Sequence, residues 1–447
     1  MTTLTDPPGA AWQPADAARR GGPAALAQAL TQSRSRTLGL FGAFESALAS
    51  TNLEVPCSPQ LNPPLWELGH IGWFQEWWTT RNTERHRGAA ANPDIARAPG
   101  RLAGADALYN SSLVAHDARW QLALPGAEAT RDYLAATLED SLRLLALAAE
   151  SDDALYFWRL ALFHEDMHAE AAVYMAQALG MALPDALAAP AGRCTTAADD
   201  ARTLAITARN WALGCTAGGG FVFDNECASV RVPLAAFQID ASPVSWSRYL
   251  PFVEAGGYRD PRWWSVEGWA WLQTADGGSL TGEVIDAAGA PGPLRASRYL
   301  RQTAGNWQAR RGGAWQALDL CAPAVHLSAY EADAWCRWAG RRLPTEAEWE
   351  CAALTQPGLA WGAVWEWTAS DFAPFPGFVP HPYRDYSAPW FGSRRVLRGG
   401  CAAASPRIRH PKYRNFFEPA RNDIFAGFRS CAVNGTGPTD GGPTICP

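Results

Sequence analysis

The chain has 447 residues, a formal net charge of −6, 48% hydrophobic and 18% charged residues, and 22 tryptophans. That length exceeds one ordinary hydrophobic core and predicts two or three domains, while the composition excludes a disordered chain. The acidic balance and the lack of a basic run argue against nucleic acid as a partner. The N-terminal stretch MTTLTDPPGAAWQPADAARR has no apolar secretory core. No run of about 18 apolar residues occurs, so no membrane partner and a cytoplasmic location are expected. Ten cysteines without a CxxC pair predict mostly reduced, buried thiols and give no support to a zinc ribbon.

Residues 1–22, rich in Pro, Gly and Asp, predict a flexible leader. From Gly22 to about Thr51, Leu26, Leu30, Leu38, Phe41, Phe44 and Leu48 form a helical stripe. The prolines of CSPQLNPP break it, and Pro64 suits the first turn of a second helix, LWELGHIGWFQEWWTTRN, with His70 among Trp66, Trp73, Phe74 and Trp77. Gly88 to Gly104 reads as an interhelix loop. Ala129 to Glu150 is a third amphipathic helix with Thr130 as the expected cap, and about Asp153 to Leu179 is the fourth. Four such helices predict a bundle over 23–182.

An Ala/Pro-rich linker is expected over 183–205. Beyond it, over 206–435, short apolar runs alternate with Gly, Trp and Pro, which predicts an α+β domain with much irregular structure. Phe221 to Val232 alternates like a hairpin and VPLAAFQID like a strand. HLSAYEADAWCRWAG is a helix ending at Gly340, and a second begins at Thr345 with a capping box to Glu348. Residues 436–447 form a Gly/Pro-rich tail.

Chemistry concentrates in LFHEDMHAEAAVYMAQAL. His164 and His168 lie at i, i+4, so both imidazoles leave one helix face about one turn apart and can reach one metal ion. His70 on the neighbouring helix completes a three-histidine face with open positions opposite. HEDMH also matches the HExxH pattern of zinc peptidases, in which Glu165 would be the general base. That reading needs a third ligand downstream and a strand edge for peptide, and the helix continues without one; beside His70, Glu165 reads as a structural residue behind the ligands.

The motifs PPLWELGHIGWFQEWW and FHEDMHAE together resemble the DinB-like iron-binding domain of the ergothioneine-type hercynine sulfoxide synthases. AGRRLPTEAEWECAA, VWEWTAS, RVLRGG, KYRNFF and IFAGFRS resemble the formylglycine-generating-enzyme-like, C-type-lectin-related domain that follows it there. The two similarities run in synthase order from about Ala25 to Cys431. The resemblance implies Fe(II) on His70, His164 and His168, O2 as co-substrate, and oxidative joining of a chalcogen donor to imidazole C2 of hercynine, the trimethylbetaine of histidine. A trimethylammonium donates no hydrogen bond and suits an aromatic recess. Trp365, Trp367, Phe416 and Phe417 lie in matching motifs and are candidates to line it, with Trp365 and Trp349 also readable as fold pegs. Tyr413, Arg414 and Asn415 match a stretch near the substrate, with Asn415 the expected polar contact. The segments Trp365 to Ser370 and Arg398 to Arg421 are expected to close over the metal.

The sequence departs from the sulfoxide-synthase pattern at the donor side. The Arg-rich stretch is VAHDARW, with only His116 and Arg119 in it. Phe417 stands where an Asp grips the donor, leaving Arg421; Phe375 replaces the candidate acid–base Tyr, so no catalytic residue is assigned; Met167 replaces a Gln. A doubly charged peptide thiol needs cationic partners, because burying unpaired charge costs several kcal/mol. A neutral donor needs none, which favours the related selenoneine synthases with a selenosugar donor, the alternative being a hercynine sulfoxide synthase using γ-glutamylcysteine or cysteine. Formylglycine-generating chemistry relies on a cysteine pair, and CAAASPRIRHPKYRN holds only Cys401. A non-catalytic metal- or ligand-binding protein is the reading from another class.

Overall fold

A computed structural model of the chain describes residues 12–190, 201–216, 218–274, 279–285 and 291–433. Its N-terminal part is helical: α1 (Gln13–Arg20), α2 (Pro23–Ala47), α3 (Pro64–Trp78), α4 (Ala105–Tyr109), α5 (Ala127–Leu145) and α6 (Asp152–Leu179). The four long helices pack together, α3 against α5 and α6, and α2 against α6. Pro64 occupies the first turn of α3, where a missing N–H costs nothing. The Ser151 hydroxyl caps α6 by accepting from the Ala154 N–H at 3.2 Å, two aspartates follow in the first turn, and Gly180 ends the helix at φ 72°.

Two expectations here are corrected. The leader reading fails from residue 13 onward, because α1 is a helix pinned by the buried Arg19, whose guanidinium makes two 2.8 Å bonds to the Glu226 carboxylate. Eight residues with one buried cation leave too little apolar periodicity to read. Residues 1–11 lie outside the described residues. In α5 the cap position is Gly126, and Thr130, one turn inside, donates its hydroxyl back to the Gly126 carbonyl at 3.0 Å. Ser and Thr make that back-bond within helices as readily as they cap them.

The C-terminal part opens with β1 (Thr203–Ile206), β2 (Arg209–Leu213), β3 (Val230–Leu234) and β4 (Phe237–Asp240). Helices α7 (Trp246–Glu254) and α8 (Val266–Leu272) lead to β5 (Ser279–Ile285), β6 (Pro291–Ala296), β7 (Leu300–Thr303), β8 (Asn306–Arg311) and β9 (Ala314–Ala317). Next come α9 (Ala329–Trp338), β10 (Arg341–Arg342) and α10 (Glu346–Thr355). The last strands are β11 (Trp365–Asp371), β12 (Arg395–Arg398), β13 (Asn415–Phe417), β14 (Ala426–Phe428) and β15 (Cys431–Ala432). Two four-stranded sheets, in the orders β1-β4-β15-β10 and β13-β12-β11-β14, carry the core, and small hairpins surround them. The architecture is therefore a DinB-like helical bundle followed by an α+β, lectin-related domain.

The expected hairpin over Phe221 to Val232 is absent; β3 pairs instead with β2, Leu213 opposite Val230, and Asp224–Glu226 forms a 3-10 turn between them. The alternation there comes from Phe221 and Phe223, which are buried against the bundle residue Phe163. VPLAAFQID divides into β3 and β4. The expected linker over 183–205 is shortened, since β1 starts at Thr203 and pairs with β4; residues 191–200 and the tail 436–447 lie outside the described residues. Ser328 and Thr345 both start helices with capping boxes, to Glu331 and Glu348. Of eight described cysteines, all free, four are buried, fewer than the composition implied. Among the described residues no helix is long and apolar enough to cross a membrane.

Candidate metal centre and its substrate face

Helix α6 presents three different faces. His164 and His168 point toward α3, and their Nε2 atoms lie 3.2 Å apart. His70 on α3 meets them, so that one nitrogen from each ring falls within 4.8 Å of the others. The second face carries Glu165 into the bundle, where Arg34 of α2 binds its carboxylate at 2.8 and 3.2 Å and also donates to Gln75 and the Leu134 carbonyl. The third carries Asp166, Glu170 and Gln177 to the lectin-related domain, where they meet Arg407, Trp365 and the Gly312 N–H. Glu165 therefore faces away from the histidines, which removes the peptidase base.

Each ring is oriented by its surroundings. The His70 Nδ1–H donates to the Tyr109 carbonyl at 2.7 Å, which leaves Nε2 with a lone pair for a metal. That approach requires Gly69: a Cβ there would lie 2.2 Å from the Tyr109 ring. His70 is stacked on Trp66 at 4.8 Å, and burial, reinforced by His168, lowers its pKa to about 3. His164 lies flat on Phe74 at 3.5 Å and is held well below the usual histidine range by burial first and the two other histidines second. The Nδ1 of His168 is bound by the Glu67 carboxylate. Burial alone would raise the Glu67 pKa, but the His168 interaction overcomes it and holds the group at about 2.

These residues fit a divalent transition metal. Three imidazoles, two with a fixed Nδ1 partner, and no thiolate form an N-donor face with open positions, the pattern that suits iron, copper, nickel or zinc over calcium or magnesium.

Opposite the histidines stands a wall from the lectin-related domain. Tyr383 meets Phe74 edge-on at 5.0 Å and His164 at 6.3 Å between ring centres. The Tyr386 and Tyr413 hydroxyls are 3.1 Å apart, and Tyr413 also reaches the Met167 sulfur at 3.7 Å. Phe416 stacks on Phe372 at 4.0 Å and meets Tyr386 at 5.8 Å. Asn415 and Phe417 sit on the edge strand β13. The Asn415 amide oxygen accepts from the neighbouring Phe416 N–H at 2.9 Å, leaving its amide nitrogen free of that bond. Arg421 forks onto Asp423 at 2.6 and 2.7 Å and lies beside Phe417 and Tyr174.

Two sequence expectations about this wall are corrected. Trp367 is 0% exposed and donates its indole N–H to the Leu327 carbonyl at 2.8 Å, so it serves the core and cannot touch a ligand. The stretch Trp365 to Ser370 is part of β11, not a closing loop; its first four residues are buried in the sheet interior. Trp365 ties the two parts together through Glu170 at 2.6 Å, and Trp349 is a core peg on Glu366. The unforeseen residues are Glu67, the Tyr109 carbonyl, Tyr383 and Tyr386. Glu67 stands three residues before His70, but its partner is His168 on α6, which spacing within α3 does not reveal. The tyrosines of HPYRDYSAPW carried a weak signal, and the backbone carbonyl carried none.

A sequence profile of the sulfatase-modifying factor enzyme 1-like domain matches residues 195–361 and 357–434. The hercynine oxygenase of Mycolicibacterium smegmatis is 31% identical over 90% of this chain and 97% of its own length. The chain belongs to the hercynine oxygenase family. A second family member, from Mycobacterium tuberculosis, is 31% identical over 91% of this chain and 98% of its own length. The formylglycine-generating enzyme of Streptomyces coelicolor is 29% identical over only 42% of this chain and 75% of its own. The likeness to the hercynine oxygenases therefore spans the bundle as well as the lectin-related domain, and the histidine centre lies outside the residues that the sulfatase-modifying factor profile matches. Cys401 is fully buried, with its thiol toward Glu170 at 3.4 Å, and burial first and Glu170 second push its pKa well up. No second described cysteine lies near it in sequence before Cys431.

Proposed function

We propose that this chain is an Fe(II)- and O2-dependent enzyme that forms a carbon–chalcogen bond at imidazole C2 of hercynine, with His70, His164 and His168 as the iron ligands. The observation that carries the reading is the three-histidine face, met across the domain boundary by Tyr383, with Tyr386 and Phe416 behind it and Tyr413 reaching Met167 of α6. Iron bound there supplies the redox chemistry that lets O2 oxidise a pair of organic substrates. The protein holds His70 and His164 neutral through burial, fixes the tautomers of His70 and His168 through Tyr109 and Glu67, and offers aromatic faces to a trimethylammonium group.

The donor is read as a neutral selenosugar, making the chain a selenoneine synthase. The state of the nearby cations supports this. Arg421 is matched by Asp423 and flanked by Phe417, and Arg119 donates to Asn62 at 2.8 Å and lies 3.9 Å over Trp66. Arg421 is committed to Asp423, which leaves Arg119, bonded to the neutral Asn62 and with its Nε unpartnered, to face the two carboxylates of a γ-glutamyl thiol, and desolvating the second of them without a partner is costly. The neutral donor needs only hydrogen bonds, for which Asn415 is the candidate.

The test is an anaerobically iron-loaded enzyme given hercynine, O2 and, in separate reactions, a selenosugar, γ-glutamylcysteine or cysteine. The expected result is oxygen uptake and a selenium-bearing adduct by mass. An adduct with γ-glutamylcysteine or cysteine alone would replace the donor reading with sulfoxide synthesis. No oxygen uptake with any donor would leave a binding protein in place of an enzyme.

A further inference from the structure

A second cavity, of about 720 Å³, lies between the C-terminal end of α6 and the lectin-related domain, and none of the three histidines lines it. Its floor is formed by Tyr299 and His326, whose rings meet edge-on at 4.9 Å. Both residues are non-glycine yet sit in the left-handed region, at φ 64° and 62°. L-residues adopt that conformation only where the surrounding structure imposes it, and such residues cluster at ligand sites. Both are more than nine-tenths buried, at 7% and 6% exposure. Yet the Tyr299 hydroxyl and the His326 Nδ1 make no hydrogen bond of good geometry among the described residues, with Arg298 beside the hydroxyl and the Asp423 and Ile424 backbone beside the imidazole. Buried polar atoms without partners are uncommon and call for a group to satisfy them.

The charge around this floor is positive. The Arg298 and Arg310 guanidiniums flank the same Tyr299 ring, with their central carbons 5.1 and 4.6 Å from its centre. Arg298 donates to the Asn422 amide oxygen at 3.2 Å, and Arg310 donates to the Gln177 and Ala178 carbonyls at 2.8 and 3.3 Å. Those acceptors are neutral, and the Arg310 Nε is itself buried without a partner. Arg311 lines the same cavity, with Asp185 and Asp319 in its lining and Asp423, already paired with Arg421, close to Tyr299 and His326. Among the described residues none of the three arginines has an ion-paired carboxylate.

We propose that this cavity binds a small organic dicarboxylate, distinct from the substrates at the histidine centre. Two planar guanidinium forks beside one aromatic ring match two carboxylates of one molecule. The Tyr299 hydroxyl and His326 supply the remaining polar contacts, and the volume falls within the range of small-molecule sites. Gln177 donates to the Arg310 carbonyl at 2.7 Å, so the site is fastened to the same helix that carries His164 and His168.

The test is calorimetric titration of the iron-loaded enzyme with glutarate, and with acetate as the single-carboxylate comparison. One saturable site for glutarate is expected, weakened about tenfold or more in Arg298→Gln and in Arg310→Gln, and unchanged in His164→Ala. Arg310 also closes the end of α6; if Arg310→Gln does not fold, Arg298→Gln decides alone, because Arg298 bonds to the Asn422 side chain, lies beside the Tyr299 hydroxyl and closes no helix. Absence of saturable binding, binding indifferent to both arginine substitutions, acetate bound as tightly as glutarate, or binding lost in His164→Ala would each overturn the proposal.

Discussion

Replacing Glu67 with Gln asks whether the carboxylate behind His168 sets the strength of the metal centre. Glu67 is 13% and His168 19% exposed, so their contact is shielded from water. The Glu67 carboxylate also accepts from the Asn62 amide at 2.5 Å, which fixes its angle. Gln keeps one acceptor oxygen of nearly the same shape and removes the charge. His168 then keeps its tautomer but loses the negative partner that makes Nε2 a stronger donor to the metal. Substitutions of this kind cost about 10- to 100-fold in metal affinity, which is about 1.4 to 2.8 kcal/mol at a tenfold step of 1.4. The assay is anaerobic competition for Fe(II) against a chromophoric chelator, run beside Glu165→Gln. Glu165→Gln should leave iron affinity near wild type, because its carboxylate faces Arg34. An unchanged affinity in Glu67→Gln, or an equal loss in Glu165→Gln, would refute the orientation argument.

Four further outcomes are expected. Arg34→Met strands the buried Glu165 charge and should cost about 3 to 5 kcal/mol in urea unfolding, most of it recovered in the Arg34→Met/Glu165→Leu double variant. Gly69→Ala drives a Cβ into the Tyr109 ring and should cost about 1 to 3 kcal/mol of stability, with weaker iron binding in the same chelator assay. Tyr413→Phe removes the bonds to Tyr386 and Met167 and should lower stability by about 0.5 to 1.5 kcal/mol, read by chemical denaturation. In the metal-free protein the Glu67 carboxylate, depressed from 4.5 to about 2, contributes stability that is fully present above about 4.5 and is lost as pH falls through 2; an acid unfolding midpoint that does not move in Glu67→Gln would contradict this.

The parts of the fold that the sequence revealed are those with strong local signals. The four long helices were legible because their stripes, proline entries and glycine exits act within one turn, and the capping box at Thr345 is a contact between near neighbours. The histidine ligands were legible for the same reason: i, i+4 spacing fixes His164 and His168 on one face before any tertiary contact forms. What was missed depends on contacts distant in the chain. α1 is defined by Arg19 reaching Glu226, and Thr203 becomes a strand residue only because β4 lies beside it. Trp367 was a candidate because its motif matches the family's, and a motif match alone does not say which face of β11 is covered. Tyr383 comes to His164 from more than two hundred residues away, on a segment with no regular period.

The arrangement of α6 explains why this centre needs both parts of the chain. A helix that offered only two histidines to α3 would leave the metal open to water on its far side. Here the next residues along the same helix, Asp166 and Glu170, bind Arg407 and Trp365 of the lectin-related domain. Those bonds fix the helix about its long axis, and with it the directions of His164 and His168. They also bring Tyr413 to Met167, the residue immediately before His168. The contact between the two parts therefore sets the ligand geometry and the substrate wall in one step, with Glu165 anchored to Arg34 as the counterweight on the bundle side. Breaking Asp166 from Arg407 should accordingly disturb iron binding and substrate recognition together, whereas a change at Phe416 should disturb recognition alone. Iron affinity and hercynine affinity measured on Asp166→Asn and Phe416→Ala separate those effects, and parallel losses of iron in both variants would refute this division of roles.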